Sequence, residues 1–112
     1  MRKRISIASL VIAAIGGLAP VLASAPADAA SYATWDRLAH CESGGRWHLN
    51  TGNGYYGGLQ FSGSTWRAYG GGHFAGRADK ASRVQQIRVA ERVLHAAGWG
   101  SWPVCSRKIG VR

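Results

Sequence analysis

Acidic side chains are scarce in this sequence, whose 112 residues contain five aspartates and glutamates against fourteen lysines and arginines. Four of these acids follow residue 29 and face eleven basic residues there, which leaves a net charge of +7. Such a charge suits an anionic polymer or surface, although a solvated basic surface without a specific ligand explains it equally well. The basic residues are scattered and form no recognised nucleic-acid motif, so we expect no nucleic acid as a partner.

Cysteine is also rare, since Cys41 and Cys105 are the only two. They allow one intramolecular bridge, which is the natural reinforcement of a small secreted domain. Closing so long a loop contributes about 4 kcal/mol on the chain-entropy model. A free, reactive Cys41 is the alternative. The four histidines have no zinc-binding spacing, and we expect neither a metal nor a cofactor.

Residues 1–29 are predicted to be a secretory signal peptide. A basic segment at residues 2–4 precedes an apolar stretch from Ile5 to Leu22, and Ala27-Asp28-Ala29 supplies the small residues of a cleavage site. This order is typical of a leader cut after Ala29, whereas a cut after Ala25 would leave Pro26 next to it. A retained membrane anchor is the alternative, but two glycines and a proline interrupt the apolar stretch. We expect residues 30–112 to form one secreted, monomeric domain without stable membrane insertion.

The first predicted helix carries the residue on which the functional interpretation depends. Thr34 is the expected N-cap, Asp36 complements the dipole in the first turn, and the glycines at 44–45 end the helix. The apolar stripe that Trp35 and Leu38 begin continues at Glu42. A carboxyl group in this place loses hydration near the negative end of the helix dipole, so we expect a raised pKa. A glutamate that stays protonated near neutral pH can act as a general acid.

A hairpin and a short helix are predicted next. Asn53-Gly54 is typical of a hairpin turn, and Tyr55-Tyr56 begins the strand that follows it. Ser62 or Ser64 is expected to cap a short helix over residues 65–69, which three glycines end.

The strongest helical signal lies further on. Ser82 and Gln85 form a capping box, and Gly98 ends the helix. Its apolar stripe is predicted to comprise Val84, Ile87, Val89, Ala90, Val93, Leu94 and Ala97. Ser106–Arg112 is expected to be a frayed basic tail. Helices around a small hairpin make an α+β domain, with a cleft between the two parts.

The other acids are weak candidates for the second carboxylate that cleavage of a glycosidic bond usually needs. Asp36 lies far round the helix from Glu42, and Asp79 lies among basic residues where an ion pair or a cap is expected. Glu91 borders the apolar stripe of the long helix and is expected to pair with an arginine, with a position facing the cleft as the alternative. A mechanism in which a single glutamate serves as acid and then as base becomes attractive.

Aromatic side chains are abundant for so small a domain and suit a sugar substrate. Their flat faces fit the C–H faces of pyranose rings, and their polar tips reach sugar oxygens. The candidates are Trp47, Tyr55, Tyr56, Trp66, Trp99 and Trp102, with polar groups at Asn50, Thr51, Asn53, Gln60 and Thr65. Trp35 and at least two of the other aromatics are expected to belong to the core.

Together these motifs resemble the resuscitation-promoting factor domain of actinobacteria. The resemblance covers nearly all of the chain after residue 29 and rests on Trp35, Cys41–Trp47, Asn50–Phe61, Ser64-Thr65-Trp66 and Trp102-Pro103-Val104-Cys105. It implies a compact lysozyme-like fold and cleavage of the β-1,4 bond between N-acetylmuramic acid and N-acetylglucosamine in peptidoglycan. It places the catalytic acid at Glu42, the disulfide at Cys41–Cys105, and substrate contacts at Asn50, Tyr55, Gln60, Thr65 and Trp66.

The resemblance also implies wall remodelling and the resuscitation of dormant cells, in some members together with a wall endopeptidase. Arg46 and His40 stand where many members carry Asn and Gln, and Ser62 stands where some carry an acid. The sequence therefore predicts a secreted, wall-associated enzyme with peptidoglycan strands as its partner. A peptidoglycan-binding or signalling module with little catalysis is the alternative. A cationic membrane-active protein is a weaker interpretation, because the apolar face of residues 83–95 is better explained as core.

Overall fold

The computed structural model describes residues 30–112, and the predicted signal peptide at 1–29 lies outside the described residues. The elements in chain order are α1 (Tyr32–Ser43), β1 (Tyr55–Tyr56), β2 (Phe61–Ser62), α2 (Gly63–Ala68), α3 (Arg83–Ala97) and α4 (Pro103–Lys108). Short 3-10 turns lie at Gly71–His73, Ala78–Lys80 and Trp99–Ser101. The predicted α+β class is confirmed, with helices around one small antiparallel sheet.

Helix α1 begins earlier than the sequence indicated. Its N-cap is Ser31, whose Oγ accepts from the backbone N–H of Thr34 at 3.1 Å, so the prediction of Thr34 as the cap was wrong. Asp36 consequently lies beyond the first turn and does not complement the dipole. Its two carboxylate oxygens instead accept from the guanidinium of Arg83, each at 2.8 Å, and this pair joins α1 to α3. Gly44, at φ +69°, ends α1 as predicted.

The chain reverses at Asn53-Gly54, as predicted, and reverses again at residues 57–60, which was not predicted. Asn50 forms an isolated antiparallel bridge with Tyr56, and the backbone N–H of Gly57 donates to the carbonyl oxygen of Leu49 at 2.9 Å. The Oδ1 atom of Asn53 accepts from the backbone N–H of Tyr55 at 3.0 Å within the first turn. Tyr55 also pairs with Ser62 and Tyr56 with Phe61, so the turn between β1 and β2 occupies residues 57–60.

Helices α2 and α3 largely follow their sequence signals. Ser62 caps α2 by accepting from the backbone N–H of Thr65 at 3.1 Å, and the capping box of Ser82 with Gln85 is present on α3. Gly98 ends α3, as predicted. The buried face of α3 comprises Gln86, Ile87, Val89, Ala90, Val93 and Leu94. Val84 and Ala97 are exposed, so the predicted stripe was wrong at both ends, where α3 extends past the core.

The core is built around tryptophan rings. Trp35 on α1 is completely buried, and its ring centroid lies 5.1 Å from that of Trp99 and 5.3 Å from that of Trp102. Leu38, Leu59, Phe61, Trp66 and the buried face of α3 complete the cluster. Within residues 30–112 no helix is both long enough and apolar enough to cross a membrane.

The C-terminal segment is folded onto this core. Cys41 and Cys105 form the predicted disulfide, with their Cα atoms 5.8 Å apart, and join α1 to α4. The prediction of a frayed tail from Ser106 was wrong for its first residues, because α4 extends to Lys108 and Ser106 is buried. Arg37 on α1 donates to the backbone carbonyl of Ile109.

Candidate active site

Glu42 lies in the last turn of α1, one residue after the half-cystine of the disulfide. Trp35 and Leu38 are fully buried, and Glu42 is half-buried at the end of the same stripe, as the spacing predicted. Ser43 fixes this end of the helix. Its Oγ lies 2.9 Å from the carbonyl oxygen of Gly58, to which it donates, and accepts from the backbone N–H of Arg46 at 3.1 Å. The helix end is thus attached to the β1–β2 turn.

Glu42 lines an open cavity of about 350 Å³. The other residues on its walls are Tyr55, Gln60, Ser101, Trp102, Pro103, Val104 and Cys105. A second cavity of about 270 Å³ shares Tyr55, Gln60, Ser101 and Trp102 and continues to Phe61, Ser62, Thr65, Tyr69 and Val93. Because four residues line both, the two cavities form one groove, which we call the Glu42 cleft.

The electrostatic environment of Glu42 suits an acid that keeps its proton. Burial raises the pKa of the Glu42 carboxyl above its ordinary value, because the charged form loses hydration. Neither of the two ion pairs within residues 30–112 involves Glu42, so no lysine or arginine offsets this effect by direct contact. A carboxyl in this state can donate a proton to a leaving oxygen and later remove one.

The polar walls are held in place by the backbone of the β1–β2 turn. Gln60 has φ +56°, an unusual conformation for a residue with a side chain, and its Nε2 donates to the carbonyl oxygen of Gly57 at 3.0 Å. Within residues 30–112 the Oε1 atom of Gln60 has no hydrogen-bond partner, so it is available on the cleft wall. Tyr55 is about half exposed at the edge of the cleft, and Thr65 follows at the start of α2.

Three of the five predicted substrate contacts therefore lie together, at Tyr55, Gln60 and Thr65. Trp66 does not join them, because its ring is fully buried, packs 5.4 Å from the Phe61 ring and donates from Nε1 to the carbonyl oxygen of Ala75. The prediction that Trp66 contacts substrate is corrected to a role in the core beneath the cleft.

Asn50 lies outside the lining of the cleft, and its Oδ1 accepts from the backbone N–H of Gly52.

Within the described residues, no second carboxylate lines the Glu42 cleft. Asp36 pairs with Arg83, and Asp79 forms the expected ion pair with Arg77, whose guanidinium holds the pKa of the Asp79 carboxyl below its usual range. The prediction that Glu91 pairs with an arginine was wrong. Glu91 instead accepts from the indole Nε1 of Trp35 at 2.7 Å. The same part of the chain contains no cluster of three or more side chains suited to a metal ion.

Sequence reasoning missed the far wall of the cleft. Ser101, Pro103 and Val104 lie opposite the β1–β2 turn, and Val104 is 54% exposed. A signal for this wall was available, because a disulfide to Cys41 brings the residues before Cys105 next to Glu42. Tyr69 and Val93 at the other end of the cleft come from α2 and α3, and no local motif marks them.

A half-buried glutamate at the end of a helix with one buried face, beside a groove with aromatic and amide walls, is the arrangement of a lysozyme-like α+β domain. The chain belongs to the transglycosylase-like domain family, whose family model matches residues 29–105.

The relatives of this chain are resuscitation-promoting factors of actinobacteria. It is 59% identical over 98 residues to one from Corynebacterium glutamicum, a match that covers 88% of this chain and 50% of the relative. It is 50% identical over 111 residues to that of Micrococcus luteus, covering 98% of this chain and 48% of the relative. It is 54% identical over 107 residues to resuscitation-promoting factor RpfA of Mycobacterium tuberculosis, covering 94% of this chain and 26% of the relative. The chain thus spans half or less of the length of these relatives.

Proposed function

We propose that this protein is a secreted, wall-associated enzyme that cleaves the β-1,4 bond between N-acetylmuramic acid and N-acetylglucosamine in peptidoglycan. The observation that carries the proposal is Glu42, a carboxyl with a raised pKa on the wall of an open cleft. The transglycosylase-like family and the similarity to resuscitation-promoting factors support the choice of substrate. The proposed role in cells is wall remodelling that promotes the regrowth of dormant cells.

In the proposed mechanism Glu42 first donates its proton to the oxygen of the glycosidic bond as that bond breaks. The developing positive charge on the muramic acid ring then needs a nucleophile. Since no second carboxylate lines the cleft among residues 30–112, the C6 hydroxyl of the same sugar or a water molecule attacks. Glu42, now ionised, removes the proton of this nucleophile and returns to its starting state.

The cleft walls offer matching contacts for a glycan strand. The exposed face of Tyr55 suits stacking on a sugar ring, and the amide of Gln60 and the hydroxyl of Thr65 suit its polar substituents. The net positive charge of the domain favours the anionic wall. A cooperating wall endopeptidase would act on the peptide stems, which lie outside this chemistry.

Digestion of purified peptidoglycan in water enriched in ¹⁸O tests the proposal and distinguishes the two nucleophiles. Attack by the C6 hydroxyl yields 1,6-anhydro products without the label, whereas attack by water yields reducing ends that carry it. We expect products from the oxidised wild-type domain and none above background from Glu42→Gln. Equal product from both proteins would contradict the proposed role of Glu42.

A glycan-binding or signalling module is the second candidate, because the cleft is open and holds one carboxylate within residues 30–112. Sedimentation with insoluble peptidoglycan separates binding from cleavage. Binding by both wild type and Glu42→Gln, with no soluble product from either, would favour the module.

A further inference from the structure

Glu91 on α3 holds the first residue of the predicted mature chain. Its Oε2 and Oε1 atoms lie 3.1 and 3.4 Å from the backbone nitrogen of Ala30, and Oε2 also accepts from the indole Nε1 of Trp35. Both contacts are partly buried. Neither of the two ion pairs within residues 30–112 includes Glu91, so in this part of the chain its carboxylate contacts two N–H groups and no lysine or arginine.

The two contacts to one nitrogen suit an ammonium better than an amide. A peptide N–H has one hydrogen, which can point well at one oxygen, whereas an α-ammonium has three hydrogens and a full positive charge. A partly desolvated carboxylate is stabilised by a cation in contact with it. The backbone nitrogen of Ala30 becomes an α-ammonium if the peptide bond from Ala29 is hydrolysed.

We propose that Glu91 is the receptor for the new N-terminal ammonium that processing after Ala29 creates. Hydrolysis by a leader-removing endopeptidase breaks the Ala29–Ala30 peptide bond, and water supplies the oxygen of the Ala29 carboxylate and a hydrogen to the amine of Ala30. At neutral pH the amine binds a further proton and pairs with Glu91. The inference goes beyond the proposed enzymatic function and depends on the predicted cut.

The pair couples leader removal to the stability of the folded domain. Ala30 directly precedes Ser31, the N-cap of α1, and Glu91 lies on α3, so the pair joins the beginning of one helix to the middle of the other. Trp35 shares the carboxylate and packs against Trp102, which lines the Glu42 cleft. Processing therefore turns an existing amide contact into an ion pair that steadies the core beneath the site.

A simpler interpretation is that Glu91 accepts from an ordinary amide and faces the positive end of the α1 dipole. A thermodynamic cycle on the mature protein distinguishes the amide contact from the ion pair, because only an ion pair between Ala30 and Glu91 depends on the charge of the amine. The cycle compares a free with an Nα-acetylated Ala30, each in wild type and in Glu91→Gln. The Gln side chain keeps an oxygen that can accept from Trp35.

Urea unfolding at pH 6.5, where an α-amine is protonated, supplies the readout. We expect acetylation to lower the folded-to-unfolded ratio of wild type about tenfold and that of Glu91→Gln less than about twofold. Asp36→Asn is the matched control, and acetylation should affect it as it affects wild type. An equal effect of acetylation in wild type and Glu91→Gln would overturn the proposal. So would a mature chain, secreted from the full sequence, whose mass places its first residue elsewhere than Ala30.

Discussion

Glu42 combines a structural cost with the chemical role proposed for it. Its position follows from helical spacing, since residues three, four and seven positions apart share one face, and the face that buries Trp35 brings Glu42 to the cleft edge. Burial raises the pKa of this carboxyl, which means that the folded protein binds a proton more tightly there than the unfolded chain does. The burial that weakens the fold at neutral pH is the same feature that suits Glu42 to its proposed role as an acid.

The stability of the protein should reflect this cost. Between the unfolded pKa of Glu42, near 4.5, and its higher folded pKa, the folded state holds more protons, so the contribution of Glu42 to stability falls as pH rises. We expect Glu42→Gln to be more stable than wild type at pH 7, with the difference disappearing below pH 4.5. Urea unfolding of both proteins across this range checks the prediction. A difference that grows on acidification would contradict it.

The rate of cleavage should also depend on the protonation of Glu42. Only the protonated form of Glu42 can donate to the leaving oxygen, so we expect the rate of peptidoglycan cleavage to fall as pH rises past the raised pKa of this carboxyl. Release of soluble fragments, measured at pH values over which binding to the wall is constant, provides the test. A rate that keeps rising with pH through neutrality would exclude Glu42 as the acid.

Tyr55 and Trp66 provide a contrast between a residue in the cleft and one in the core. Tyr55→Ala removes a half-exposed ring, so we expect stability to change by less than about 1 kcal/mol while cleavage is weakened. Trp66→Ala removes a fully buried ring and should cost about 3–5 kcal/mol. Thermal unfolding and fragment release, measured on both variants, distinguish the two roles. Wild-type activity in Tyr55→Ala would show that the Tyr55 side of the Glu42 cleft does not contact the glycan.

At the scale of elements, the β1–β2 turn is positioned by a buried side chain on α3. The Oε1 atom of Gln86 accepts from the backbone N–H of Gly58 at 2.9 Å, and its Nε2 donates to the carbonyl oxygens of Trp47 at 2.7 Å and Ala81 at 3.0 Å. Gly58 must be glycine here, since a Cβ atom would come within 2.4 Å of the Trp47 ring. One amide thus fixes the turn that carries Gln60.

Replacing this amide should loosen the turn. Gln86→Leu removes the partner of the Gly58 N–H and of the carbonyl oxygens of Trp47 and Ala81, and each buried unpaired group costs about 1–3 kcal/mol. We expect a matching loss in the free energy of unfolding by urea, together with weaker cleavage. Arg88→Ala, an exposed change on the same helix, should alter stability by less than about 0.5 kcal/mol. Equal stability of the two variants would contradict this role of Gln86.

The disulfide acts at the same scale, because it attaches the far wall of the cleft to the helix of Glu42. Cys41 and Cys105 are 64 positions apart, and the segment that ends at Cys105 carries Trp102 and Val104. The double variant Cys41→Ser, Cys105→Ser should lose about 4 kcal/mol in its free energy of unfolding. It should also cleave more slowly than wild type at temperatures below its own thermal unfolding midpoint. Unfolding and fragment release at a temperature where both proteins are folded check this. Full activity of the folded variant would show that this side of the Glu42 cleft keeps its position without the disulfide.

For the whole molecule, local signals predicted elements well and their partners poorly. The capping box at Ser82 and the stop at Gly98 depend on nearby residues, and both were predicted correctly. The bridge of Asn50 with Tyr56 around Asn53-Gly54 also has a local signal. The pairing of Tyr56 with Phe61 was missed, because the turn between them depends on a long-range contact, the bond from the Gly58 N–H to Gln86 on α3.

In the candidate site, too, local features were predicted correctly and long-range contacts were missed. The position of Glu42 at the cleft was predicted because one helix repeat defines its face, and its catalytic role stays a prediction. The disulfide was predicted because two cysteines allow one pair. Trp66 was misassigned, since composition cannot tell an aromatic ring in the core from one on a cleft wall. The partner of Glu91 was missed as well, because the contact to Ala30 joins residues 61 positions apart.

The most direct test of the whole account is the rate at which Glu42→Gln releases soluble fragments from peptidoglycan, compared with wild type. Both proteins should first be shown to be oxidised, folded and equally bound to the wall. We predict a rate at least about 100-fold lower for the variant, the usual effect of removing a general acid. Release at the wild-type rate would contradict the assignment of Glu42 as the catalytic acid.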